Sequence, residues 1–594
     1  MRMTRLFLSL CLVLMTGIYL NAQNINVDQK LIGIDDTINK ILRDWNVPGC
    51  AVGIVIKDKL VFAKGYGYRD LENKLPMTAN TLFQIASNSK LFTATAIGFL
   101  VEDGKLDWDK PIKKYVPQIE FYNDELNANV TIRDMLSHRT GISRHDNIWY
   151  KSDFTRQQLF DRIKYLEPSI PLRQGYLYNN LMYAASGQIV EQLSGKTWEQ
   201  FVTDNIFTPL NMTNSMFVVE EMRKQADFAT PYYEKRDTNT LLPYPFYTKM
   251  QGVGPCGSII SNINDLSHWL IAQMHGGSYL GKQVIPSSII KETLQPASLT
   301  ASVPSKYFEN LNSIYGMGRS TSSYKGHYLT QHGGAIGGIY SNIYFMPADS
   351  IGVIVFTNGA HARQILGIIS NTIYDKLLGL EETPWNDRAL KDYLKNKATD
   401  KEARKKPNTD RVLNTKPSHP IADYVGKYED AAYGIMDIQA LNGTLQFTFN
   451  NTTLPLQHYH YDRFTSPDDE IEGKWFLLFD TDAQGAIQAV KVSLDEKEVV
   501  FVRKADAKLS DPAFLRNLTG AYELNGRTLN LVISNQELVI TTAPAQHLVP
   551  YKGTTFKIRE FSDQTVEFIL DKAGVATGFK MTNDGKTIEY TKKK

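Results

Sequence analysis

Cysteine is scarce in this sequence: three in 594 residues, at positions 11, 50 and 256. So few exclude a disulfide framework, and Cys50 and Cys256 are expected as two buried thiols, although an oxidising compartment would permit one bond. No Cys/His cluster has zinc-site spacing, so no metal or other cofactor is called for. Charge of one sign is lacking too. Lys and Arg total 65 against 63 Asp and Glu, a net +2, which leaves no electrostatic case for nucleic acid as a partner. After residue 20 no run approaches the roughly 20 apolar residues of a membrane span. What remains, 42% apolar and 22% charged, is ordinary for a folded globular chain.

The first residues have a character of their own. Arg2 and Arg5 flank an apolar run over 6–20, and Ala22 supplies a small residue at a cleavage point. That layout predicts a signal peptide over 1–22 and a periplasmic or secreted product. A lipoprotein anchor at Cys11 fits less well, because Leu10 stands where a small residue is expected.

A chain of this length predicts two or three domains. Strand patterns at 51–56 and 60–64 are followed by mainly helical patterns from 87 to 273. Strands return at 328–331, 339–346 and 351–357, and a helix over 363–378 closes the segment. Strands at both ends with helices between predict one antiparallel sheet, assembled from the two ends and flanked by helices: an α+β domain over 23–385. A Lys- and Arg-rich linker is expected over 386–420. Beyond it the alternation is strand-like, as in Leu445, Phe447 and Phe449 after the Asn442-Gly443 hairpin signal. Gly426-Lys427-Tyr428-Glu429 is echoed by Gly520-Ala521-Tyr522-Glu523, each opening a block of several short strands. Two β-barrels, over 421–505 and 513–594, fit that echo and hide the strand edges.

Three segments carry candidate chemistry. Ser87-Asn88-Ser89-Lys90 opens a helix that is apolar nearly all round and therefore expected in the core. Lys90 lies on the same face as Ser87, and burial disfavours its ammonium form, so it suits a proton acceptor for the serine. The same spacing at Ser288/Lys291 and Ser322/Lys325 has no buried helix behind it. Tyr178-Asn179-Asn180 offers a phenol as base or acid, and an amide, Asn180, to orient the lysine or hold a substrate carbonyl. His332-Gly333-Gly334-Ala335 lies between two strand patterns. Its glycines let a substrate backbone approach, His332 presents a polar, partly cationic group, and the N–H of Ala335 could join that of Ser87 in an oxyanion hole. A triad built on His138 and Asp134 is disfavoured, because Lys90 and Tyr178 already provide a proton path.

Ser-x-x-Lys, Tyr-x-Asn and His-x-Gly, in that order, resemble class C β-lactamases, penicillin-binding D,D-peptidases and related esterases. The segments 83–87, 104–107, 131–138 and 356–358 are similar to recurring segments of that family, and the resemblance covers roughly residues 30–380. It implies a serine acyl-transfer hydrolase that works through an acyl-enzyme on a small-molecule or peptide carbonyl, with Ser87, Lys90 and Tyr178 catalytic. Asn180, His332, Gly334 and Ala335 would contact substrate or oxyanion. His332 stands where dedicated class C enzymes typically carry the lysine of Lys-Thr-Gly. Histidine there is similar to the peptidase and esterase branches, so a D-peptidase or esterase activity is expected ahead of β-lactamase or slow penicillin-binding behaviour. The last two blocks resemble barrel domains appended to some D-aminopeptidases.

Overall fold

A computed structural model describes residues 27–300, 305–406, 410–583 and 585–593. The expected leader lies outside these residues. Among the described residues, no helix is long and apolar enough to cross a membrane. The chain divides into two compact units. One takes the described residues up to Asp109, Met135–Ser137 and Ser186–Lys406; the other takes Lys110–Asp134, His138–Ala185 and the described residues from Asp410 on.

The first unit is built on a nine-stranded sheet. An interior strand, Gly49–Ile56, pairs antiparallel with Lys59–Asp70 on one side and with Ile351–Thr357 on the other. The two ends of the segment therefore meet in one sheet, as the strand patterns predict. Every residue of Gly49–Ile56 is buried, which requires cover on both faces. On one face, Val52, Ile54, Val353 and Val355 pack with Ile38, Ile369 and Ile373 from the helices Ile34–Asp44 and Ile365–Leu378. On the other, the helix Ile263–Met274 comes so near that a Cβ at Gly53 would lie 2.4 Å from Ile263, and one at Gly352 2.6 Å from Leu270. Part of the expected linker is a helix, Trp385–Lys405, whose Trp385 is buried in the core beside the sheet. Ser322, at one of the other Ser-x-x-Lys matches, lies within the strand Ser320–Tyr324, where it pairs with Leu329.

The second unit contains two closed antiparallel barrels of eight strands each. The first closes where Tyr428 pairs with Arg503, the second where Tyr522 pairs with Lys592. Asn442 and Gly443 both take positive φ, at 52° and 79°, as the hairpin signal requires. Alternate side chains fill the interiors: Phe447, Phe449, Phe479 and Phe501 in one, Phe556, Phe568 and Phe579 in the other. The C-terminal blocks are not strands alone. A short helix, Pro512–Leu518, precedes the second barrel, and Asp511 Oδ1 accepts from the N–H groups of Ala513 and Phe514 at its start. Asp before Pro is a helix-start signal that a purely strand reading of this block passes over.

Candidate active site

Ser87 sits in a single 3-10 turn, Ala86–Asn88, that runs straight into the helix Ser89–Glu102. Ala86 before it has φ 48°, a left-handed conformation that is costly for a residue bearing a Cβ. Two contacts hold the turn in place. Ser341 Oγ donates to the Ile85 carbonyl at 2.7 Å, and Asn88 Nδ2 donates to Ser341 Oγ at 2.8 Å. Both tie the turn to the strand Ile339–Met346. Neither role is visible in the sequence, where Ser341 reads only as a sheet residue.

Lys90 is fully buried. Its Nζ lies 3.0 Å from Ser87 Oγ and donates to the Cys256 carbonyl, also at 3.0 Å. The first distance allows direct transfer of the hydroxyl proton. The second anchors the amine on a backbone oxygen supplied by the short helix Gly254–Gly257. Cys50 and Cys256 are free, buried thiols.

The strand His327–Ile336 passes directly against the Ser87 turn. A Cβ at Gly334 would stand 2.1 Å from the Ile85 carbonyl oxygen, so only glycine allows this approach. The neighbouring strand Ser320–Tyr324 pairs with it only as far as Gln331. Among the described residues, that edge has no strand partner from His332 to Ile336. His332 differs from the expected partly cationic group. It is 9% exposed, with Nε2 3.0 Å from the Tyr315 hydroxyl and Nδ1 2.8 Å from the Gly333 carbonyl. Burial, with the positive charges of Lys90 and Arg363, pushes its pKa down to about 3, so the ring is neutral at physiological pH.

Tyr178 and Asn180 belong to the second unit. The Arg144 guanidinium lies 5.0 Å from the centre of the Tyr178 ring, and His138 packs on that ring at 4.3 Å. A cation over a tyrosine ring is attracted by its π face. Arg144 has no motif around it that would mark it in the sequence. Asn180 Nδ2 donates to Asp146 Oδ1 at 2.9 Å. His138 Nδ1 accepts from the Asn179 N–H at 3.1 Å and so braces the Tyr178–Asn179 backbone. Asp134 accepts from Arg139 and Arg173 and from Thr131, which leaves it no part in a triad with His138. Ser288, at one of the other two Ser-x-x-Lys matches, donates its hydroxyl to Glu102 on the surface.

A model of the beta-lactamase family matches residues 34–367, and one for a domain of unknown function, DUF3471, matches residues 410–503. The chain is 27% identical over 425 residues to the unguisins hydrolase ungD' of Aspergillus campestris, covering 67% of this chain and 76% of that protein. It is 25% identical over 333 residues to protein flp of Staphylococcus aureus, covering 55% and 62%. Among solved structures, the octameric penicillin-binding protein homologue from Pyrococcus abyssi aligns with a TM-score of 0.52 at 22% identity, over 79% of this chain and 99% of that one.

Proposed function

The chain belongs to the beta-lactamase family of serine hydrolases, and we propose that it is an acyl-transfer enzyme of the D-peptidase or esterase kind. In this reading Ser87 Oγ attacks the carbonyl carbon while its proton moves to Lys90 Nζ. The N–H groups of Ser87 and Ala335 receive the oxyanion. The C–N or C–O bond then breaks, the leaving group takes a proton from Tyr178, and water releases the acyl group from Ser87. The observation that carries the proposal is the Lys90 amine, held 3.0 Å from Ser87 Oγ and fully buried. The Arg144 guanidinium beside the Tyr178 ring supports the tyrosine as a proton-handling group. Hydrolysis is stated in the name of the Aspergillus relative, which supports turnover ahead of a sensing role.

Neutral His332 supports the choice of substrate. A β-lactam carries a carboxylate, and a permanent cation at this position would attract it; a buried neutral imidazole does not. The test is kcat/KM for nitrocefin against a neutral p-nitrophenyl ester and a D-amino-acid p-nitroanilide. The ester or amide is expected to be preferred. A preference for nitrocefin above about tenfold, roughly 1.4 kcal/mol in the transition state, would make the protein a β-lactamase in practice. A stoichiometric burst without turnover would make it a penicillin-binding sensor. The basic, apolar leader in turn supports export to the periplasm or beyond. Fractionation of cells with N-terminal sequencing of the mature chain tests that point.

A further inference from the structure

The first barrel, residues 426–503, falls within the match to a domain of unknown function. Four of its strand connections carry Tyr433, Asn450, Glu472 and Asp495. All four residues bond to the stretch 143–151 of the same compact unit. Asn450 Nδ2 donates to the carbonyls of Asn147 and Tyr150, both at 2.9 Å, and Glu472 pairs with Lys151. Asp495 accepts from the Ser143 hydroxyl. Its Oδ2 also lies 3.0 Å from His145 Nδ1, which is 2.8 Å from the Tyr433 hydroxyl. His145 has φ 47°, a left-handed conformation unfavourable for a residue bearing a Cβ, and these contacts hold it there.

The same turn carries the Tyr178 motif. Arg144 lies over the Tyr178 ring, 5.0 Å from its centre, and its Nε donates to Asp146 Oδ2 at 2.7 Å. Asp146 Oδ1 accepts from Asn180 Nδ2 at 2.9 Å, and the Ser143 carbonyl accepts from Asn179 Nδ2 at 2.5 Å. Each residue of Tyr178-Asn179-Asn180 therefore rests on 143–146, while the side chains of Ser143 and His145 rest on the barrel. A mostly buried carboxylate adds little strength to a contact compared with well-packed apolar groups, but it fixes the direction of its partners. We propose that the first barrel is part of the catalytic apparatus, with Asp495 a positioning residue that holds Tyr178 in place through the 143–146 turn. This role rests on the reading of Tyr178 as the group that protonates the leaving group. A brace matters there, because a misplacement of about 1 Å can cost a reacting group about 100-fold in rate.

The test compares the p-nitroanilide and the p-nitrophenyl ester of one D-amino acid as substrates of the full chain. An anilide nitrogen must gain a proton as it leaves, whereas p-nitrophenolate leaves as the anion. Tyr178→Phe should lower kcat/KM for the anilide by about 100-fold or more and leave the ester within about threefold. Asp495→Ala should show the same selectivity, with a loss of about 10–30-fold on the anilide carried by kcat and not by KM. Added to Tyr178→Phe, it should lower the anilide rate no further. Ser143→Ala cuts the same contact from the other side and should reproduce the loss; it decides the matter should Asp495→Ala fail to fold. A loss equal on the two substrates, no loss, or a loss that persists in full beside Tyr178→Phe would make the barrel a structural support only. Any of these overturns the proposal and leaves the role of Tyr178 standing. If Tyr178→Phe itself spares the anilide, or the wild type cleaves neither substrate, Tyr178 is not the donor and the role of Asp495 falls with it.

Discussion

In the second barrel the largest buried side chains include Tyr522, Phe556, Phe568 and Phe579, whereas around the Ser87 turn the buried set includes Asn88, Lys90, Arg319 and His332. The barrel closes by repetition. Tyr522 donates its hydroxyl to the Leu518 carbonyl at 2.9 Å, and Lys592 of the closing strand lies 5.7 Å from its ring. The first barrel repeats the device: Tyr428 donates to the Tyr424 carbonyl at 2.8 Å, with Arg503 5.1 Å from its ring. A four-residue echo in the sequence therefore marks the start of a duplicated closure. Around Ser87 there is no repetition, one residue in a left-handed conformation, and buried groups that must change or resist charge. Barrel burial serves the hydrophobic effect, while burial around Ser87 sets proton affinity at some cost in stability.

The sharpest way to break this contrast is to remove one side chain from each region. Ser87→Ala should lower turnover by more than about 1,000-fold, with the unfolding midpoint nearly unchanged. Phe579→Ala should instead cost the second barrel about 3–5 kcal/mol, read by urea unfolding. Persistent labelling of Ser87→Ala by a serine-directed probe would move the nucleophile elsewhere. Lys90→Arg comes next. A guanidinium cannot give up its proton near neutral pH, so turnover should fall nearly as far as in Lys90→Ala. Retention of most activity would leave the lysine as an electrostatic partner only.

His332 gives a smaller, pH-dependent effect. Its folded pKa lies near 3, below the value of about 6.5 expected in the unfolded chain, so acid protonates the unfolded state first. Its contribution is present above about pH 6.5 and is lost as pH falls toward the folded pKa, by about 3 kcal/mol at pH 4. Urea unfolding at pH 7 and at pH 4.5, for wild type and His332→Asn, isolates this share. Equal acid sensitivity in the two proteins would remove it. The smallest effect compares the barrels. Tyr428 hydroxyl also accepts from Arg503 Nη2 at 2.9 Å, so Tyr428→Phe should cost about 2 kcal/mol, against about 1 kcal/mol for Tyr522→Phe. Equal losses would show that the Arg503 bond adds nothing to the hydroxyl's bond with the backbone carbonyl.

The features legible in the sequence are those whose cause is local. Ser87 and Lys90 are three residues apart, so helical geometry alone puts them on one face, and the apolar run behind them marks that face as buried. Alternation in 444–449 and the Asn442-Gly443 turn specify a hairpin without help from the rest of the chain. The split sheet was legible because strand patterns occur at both ends of a helical segment. Other features come from residues far apart in the chain, and their types say nothing in advance. The carbonyl that steadies Lys90 belongs to Cys256, and any residue can supply a carbonyl. Ser341 looks like an ordinary strand serine until it meets the Ile85 carbonyl. The charge state of His332 depends on the burial that packing imposes, and Arg319 meets the Phe345 ring, at 5.7 Å, only because the fold brings them together. Sequence by itself determined the pairing of Ser87 with Lys90, the sheet and the barrels, because periodicity and spacing are properties of neighbours. Only the tertiary structure decided which polar groups lost their water, and with that the proton affinity of His332.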